Sequence, residues 1–148
     1  MPTKKTGNAL VSKHLRMWPR EIFDRVDIIG KGKNKLLDKE LKQPGVYVLY
    51  IDDKPYYVGK AGNMRGRISS HATDPTNRLY HVWNFFSTFV IEDEGLRSEV
   101  EGVLIAAMPT ANNANPKLPR QPMPDTVRKL LREIRWAKAQ LPANSSSA

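Results

Sequence analysis

Residues 45–60 read GVYVLYIDDKPYYVGK. Val46, Val48 and Tyr50 alternate with Tyr47, Leu49 and Ile51, so both faces of this run are apolar and it reads as a central strand buried on both sides. The DDKP that follows is turn chemistry, and Tyr56 to Lys60 forms a second short strand, so the pair reads as a hairpin. Two triads of similar make-up, GVY and YVG, flank its turn. On these residues alone, the tyrosines fill a core or line a site with about equal weight.

Downstream, Gly62-Asn63 starts a helix through MRGRISSHA, which puts Arg67 and His71 four apart on one polar face. HVWNFFSTFVIED is an aromatic, β-branched third strand. GLRSEVEGVLIAAM carries Leu96, Val100, Val103, Leu104 and Ala107 at helical spacing and reads as a buried helix bearing acids. After the loop PTANNANPKLPRQPMP, Asp125 caps a last helix with an apolar stripe of Val127, Leu130, Leu131 and Ile134, leaving Arg128, Arg132 and Arg135 outside it. Upstream, Leu15, Trp18, Ile22, Phe23 and Val26 recur at helix-like spacings, with Pro19 placed to start a helical turn, and predict a short helix. GKGKNKLLDKELKQPG reads as a loop or irregular crossing, and its GKGK lacks the spacing of a phosphate loop. The order helix, hairpin, helix, strand, helix, loop, helix is an α+β pattern. It divides into a basic tail and helical lead-in (1–43), a core (44–115), and a proline-rich loop, basic amphipathic helix and polar tail (116–148).

A length of 148 residues fits one domain, and 40% hydrophobic residues suffice for a modest core. Twenty-four Lys and Arg against fifteen Asp and Glu leave a net charge of +9. Such a surplus favours polyanions, nucleic acid first, because bound phosphates release condensed counterions. No run approaches the roughly 18 continuous apolar residues of a spanning helix, and the basic start lacks the apolar centre of a secretory signal. The absence of cysteine excludes disulfides, thiol nucleophiles and thiolate metal sites and accords with a cytoplasmic setting.

The ordered set of GVY, YVG, Arg67 eight residues past Gly59, His71, a helical glutamate followed by Leu104-Ile105, and a loop asparagine resembles the GIY-YIG nuclease superfamily over residues 44 to 115. The resemblance implies a small three-stranded mixed sheet flanked by helices. It also implies a metal-dependent endonuclease acting on DNA, with RNA as the alternative nucleic acid and a non-catalytic binding module on the same fold as the alternative role. Residue by residue, Tyr47 and Tyr57 match the tyrosines of the two triads, and Arg67 and His71 match the arginine and histidine of the following helix. Glu101 matches the metal-binding glutamate, with Glu99 as the fallback. Asn113, which keeps the spacing from Glu101, matches the loop asparagine, with Asn112, which keeps the Pro-x-x-Asn pattern with Pro109, as the alternative. Lys60, directly after YVG, resembles restriction-type members, where a lysine assists proton transfer. So little chain lies outside the core that sequence preference is expected to be weak, unless a homodimer or a protein partner supplies it.

Each role has a physical reason. Glu101 is a hard oxygen ligand suited to Mg²⁺ or Mn²⁺, and Arg67 can fork onto a phosphate with a charge that never titrates. Tyr47 as base for water needs its pKa lowered by Lys60 or Arg67, or its proton passed on through Tyr57 or His71. Lys60, Arg65, Arg128, Arg132 and Arg135 are the candidate substrate contacts. Singly these residues read more plainly: Tyr57 as strand packing, Glu101 as an exposed ion pair with Arg97, His71 as a helix-end histidine, Asn112 and Asn113 as turn residues, and the last arginines equally as a solvated face.

Overall fold

The computed structural model describes residues 9–23, 38–112 and 118–142. They fall into two compact units, 1–118 and 119–148. The first unit is α+β: β1 (Lys13–Pro19), a 3-10 turn (Arg20–Phe23), β2 (Gly45–Ile51), β3 (Lys54–Ala61), α1 (Met64–Thr73), β4 (Phe85–Val90) and α2 (Glu94–Ala107).

The strands form a four-stranded sheet in the order β1-β4-β2-β3, and every neighbouring pair is antiparallel. The expected three-stranded mixed sheet is therefore corrected on both counts. The extra strand is β1, which occupies the stretch expected to be helical. Its residues alternate in burial up to Met17, and it pairs with the outer edge of β4 from Lys13 to Pro19, with one register shift between Leu15 and Trp18. At that shift Met17 has a φ of 56° and its N–H donates to Ser87 Oγ at 3.0 Å. The expectation of a turn at Pro19 holds, since the 3-10 turn begins at the next residue. Val26 lies outside the described residues. Residues 38–41, expected in a loop, are helical.

β2 is central as predicted: Val46, Tyr47, Val48 and Leu49 are all buried. Their alternation separates two cores. Tyr47 and Leu49 face Met64, Ile68 and Ala72 of α1, with Trp83 and Phe86, whereas Val46 and Val48 pack with Val58, Ile91 and the half-buried Val100, Leu104 and Ile105 of α2. Each buried aliphatic side chain of this kind contributes about 1.5–3 kcal/mol. α1 starts where Asn63 caps it, its side chain accepting from Gly66 N–H at 3.3 Å. α2 is capped by Asp93, which accepts from Leu96 N–H at 2.9 Å. It is less buried than its sequence suggested, because Leu96 and Val103 stay exposed.

The first glycine of the hairpin has a structural reason. A Cβ on Gly45 would collide with the Phe89 carbonyl oxygen on the neighbouring strand and lie 2.8 Å from Met64 Cε. Backbone cannot yield as a side-chain tip can, so Gly45→Ala is expected to cost about 3 kcal/mol. Chemical denaturation measures it, and an unchanged midpoint would refute the close strand approach.

The second unit holds α3 (Asp125–Ala139). Its N-cap is Pro124, without a side-chain cap bond. Asp125, expected as the cap, is instead the first helical residue and accepts from Arg128 Nη1 at 3.3 Å. No helix among the described residues is long and apolar enough to cross a membrane.

Candidate active site

Three chain segments bring Tyr47, Tyr57, Arg67 and His71 together. Tyr47 lies opposite Gly59 in the β2–β3 register, and Tyr57 opposite Leu49, so both phenols stand on the α1 side of the sheet. A Cβ on Gly59 would collide with the Tyr47 ring and hydroxyl, approaching Cε1 to 2.9 Å. The Tyr47 ring therefore lies across Gly59, and the second glycine is the space that lets it. From α1, His71 meets both phenols: its ring centroid is 5.7 Å from that of Tyr47 and 5.7 Å from that of Tyr57. The two tyrosine rings are 6.4 Å apart.

The Tyr47 oxygen and His71 Nε2 are 2.8 Å apart, and the direction of that hydrogen bond follows from the other side of the ring. Leu79 N–H, which can only donate, points to Asn77 Oδ1 at 2.9 Å. That oxygen is also 3.1 Å from His71 Nδ1, so Nδ1 carries the proton and Nε2 is the acceptor. Tyr47 O–H thus donates to His71. Burial lowers the histidine pKa, and the Arg67 and Arg78 charges act the same way against the opposing bond to Asn77; the ring is neutral near pH 7.

Tyr47 is fully buried, and its pKa is pushed well above the usual phenol value. Desolvation is the main cause, with Tyr57 and Glu101 adding to it, while Arg67 opposes it by charge and by hydrogen bonding. The lowered pKa that water activation by Tyr47 alone would need is therefore corrected. Of the alternatives, the route onward through His71 is the one with a hydrogen bond in place.

Glu101 is half-buried and Glu99 exposed. At about 100° per residue, Glu101 falls between Leu104 and Ile105, within the sector of α2 that packs on the sheet, and Glu99 falls on the opposite side. The arginine expected to pair with it is engaged elsewhere: Arg97 donates to the carbonyls of Ile91 at 3.1 Å and Glu92 at 3.0 Å. Glu101 contributes to the field at the Tyr47 oxygen. Among the described residues no group of three or more His, Asp or Glu stands together to hold a metal ion.

Other candidates are placed differently. Lys60 lies opposite Val46, hence on the α2 side, and its Nζ donates to Ser98 Oγ at 2.6 Å. Arg65, about 200° around α1 from Arg67, pairs with Asp38 at 2.8 Å. Asn113 lies outside the described residues, but Asn112 is a clamp on the edge strand: its Oδ1 accepts from Val58 N–H at 2.9 Å and its Nδ2 donates to Val58 O at 2.7 Å. This double bond stands in for a missing neighbouring strand. Arg128, Arg132 and Arg135 are exposed on α3.

Sequence reasoning missed Asn77, in the turn DPTNR, and Arg78, whose guanidinium lies 5.4 Å from the Tyr57 ring centre. Asn77 stands six residues past His71 and carried no motif signal. Asn77→Leu removes the acceptor from Nδ1, so the His71 pKa is expected to fall further and both neutral tautomers to appear in ¹⁵N NMR spectra. Any activity routed through Nε2 should drop about tenfold, the equivalent of one hydrogen bond of ~1.4 kcal/mol. Retention of a single tautomer would contradict the assignment.

No protein-family model, curated protein or solved structure matches this chain.

Proposed function

We propose that this chain is a GIY-YIG-type endonuclease that hydrolyses DNA phosphodiester bonds with Mg²⁺ or Mn²⁺. The observation that carries the reading is the Tyr47–His71 hydrogen bond of 2.8 Å, formed beside Tyr57 and under the opposed charges of Arg67 and Glu101. Residues from β2, β3 and α1 meet there, Glu101 of α2 acts on the Tyr47 oxygen through its charge, and each is of the type that the motif resemblance requires.

In the proposed reaction, Arg67 takes the scissile phosphate and is drawn off the Tyr47 oxygen, opening it to water. The water oxygen bonds to phosphorus as its proton passes to that oxygen and the phenol proton moves to His71 Nε2, while the P–O bond to the leaving oxygen breaks and solvent supplies that oxygen's proton. Asn77 continues to accept from Nδ1–H and so supports the imidazolium that results. This relay suits a buried phenol, because the proton has an acceptor and the phenolate need not persist. Tyr57, half-buried with Arg78 over its ring, lies beside the same oxygen and helps orient the phosphate. Glu101 fits the metal role as a single inward carboxylate; a bound Mg²⁺ would keep substrate oxygens and waters as its other ligands and offset charge on the departing oxygen. Lys60, held by Ser98 on the other face of the sheet, is a phosphate contact in this reading and not a proton carrier. The net charge of +9 accounts for attraction to the polyanion.

Complete burial of the Tyr47 side chain favours a second reading, in which the cluster is structural and the domain binds nucleic acid without cutting it. Incubation with supercoiled, linear and branched DNA and with RNA, in Mg²⁺, Mn²⁺ or chelator, separates the two. Metal-dependent cutting of DNA is expected; cutting of RNA alone would change the substrate class, and binding without cutting of either would establish the second reading.

A further inference from the structure

The structure of α3 carries a pattern that the nuclease reading does not use. Val127, Leu130, Ile134 and Ala137 recur at intervals of three, four and three within the helix, and Met123 and Leu141 lie just outside its caps. This is the a/d alternation of a coiled coil, with Val127 and Ile134 at a and Leu130 at d, the arrangement that favours two parallel strands. Within its own unit the helix buries none of its residues, and Met123, Val127, Leu130, Ile134 and Leu141 are exposed. Glu133 then falls at g and Lys138 at the following e, five residues on. In a parallel pair, g of one helix meets the next e of the other, so Glu133 faces Lys138 of the second copy twice across the seam. An antiparallel pair would set g against g and e against e, losing both opposite-charge contacts. Arg128 and Arg135 fall at b and Arg132 at f, away from the seam.

We infer that α3 is a self-association element, pairing in parallel with α3 of a second copy of this chain through Val127, Leu130, Ile134 and Ala137, with Glu133 and Lys138 fixing orientation. Two copies joined this way turn their arginines outward, in two basic faces. A helix of 15 residues is marginal alone, and pairing stabilises it only at high protein concentration. The inference does not depend on cleavage, because pairing is measured without nucleic acid.

The chain contains no cysteine, so single cysteines report cleanly. In the full-length protein with dissolved oxygen as oxidant, Ala137→Cys at the seam is expected to form an intermolecular disulfide at least tenfold faster than Lys129→Cys at the outward c position. Glu133→Lys in the Ala137→Cys background should slow this about tenfold, and adding Lys138→Glu should restore it. Equal rates for the two cysteine variants, or a monomer at every concentration in sedimentation with α3 docked on its own core, would overturn the pairing. Fast cross-linking indifferent to both charge changes would overturn the parallel arrangement.

Discussion

Tyr47→Phe is expected to lower the cleavage rate by about three orders of magnitude, the size of a lost general-base contribution, while the fold survives. Only one oxygen is deleted, and the ring still lies over Gly59 and fills the same space against His71. The lost hydrogen bond costs about 1 kcal/mol. The variant should also shift the His71 titration, since Nε2 loses its donor. Single-turnover kinetics and thermal melting separate the two effects: a rate equal to wild type would exclude Tyr47 from proton transfer, and a collapsed melt would mark it as purely structural.

The pH dependence has a defined sign. The folded-state pKa of His71 lies below its ordinary value of 6.5, so the unfolded chain binds its proton first. The stability linked to His71 is fully present above about pH 6.5 and is lost as pH falls through the folded pKa. Cleavage through a neutral Nε2 should fall off over the same acid range. For Tyr47 the shift is upward, so its linked stability is present below pH 10 and is lost only at more alkaline pH.

Glu101→Ala carries the second large effect. Metal-dependent cleavage should drop to background while affinity for DNA stays within about threefold, since the carboxylate serves an ion and phosphate contacts come from cationic side chains. Removal of a nearby negative charge should also let the Tyr47 pKa fall somewhat, because Glu101 contributes to raising it. Binding measured in chelator beside cleavage in Mg²⁺ distinguishes these effects. Full activity in the variant would remove Glu101 from the metal role.

The hairpin, α1, β4 and α2 were legible because each rests on local signals: a two-sided apolar run, the Asn63 cap, an aromatic β-branched stretch and a helical period. The segment around Trp18 was not, because its apolar residues fit a helical spacing as well as a strand. Its state is decided by the vacant edge of β4, a partner about seventy residues away. The role of the triad glycines was not legible either: each is set by a close neighbour from elsewhere in the chain, the Phe89 carbonyl beside Gly45 and the Tyr47 ring beside Gly59. Convergence of Tyr47, Tyr57, Arg67 and His71 was readable from motif order. The tautomer lock by Asn77 was not, since it depends on how the loop after α1 turns back on the imidazole. Lys60 was misjudged for a related reason: strand alternation puts it on the face opposite Tyr47, a consequence of register that adjacency in YVGK conceals.

The most direct test of the central claim is nicking of supercoiled DNA by wild type and Glu101→Ala purified side by side, so that any contaminating nuclease is shared. Wild type should convert the plasmid to nicked or linear product in Mg²⁺ or Mn²⁺ and not in chelator, with the variant inactive throughout. Equal cutting by both proteins, or none by wild type with either metal, would contradict the account.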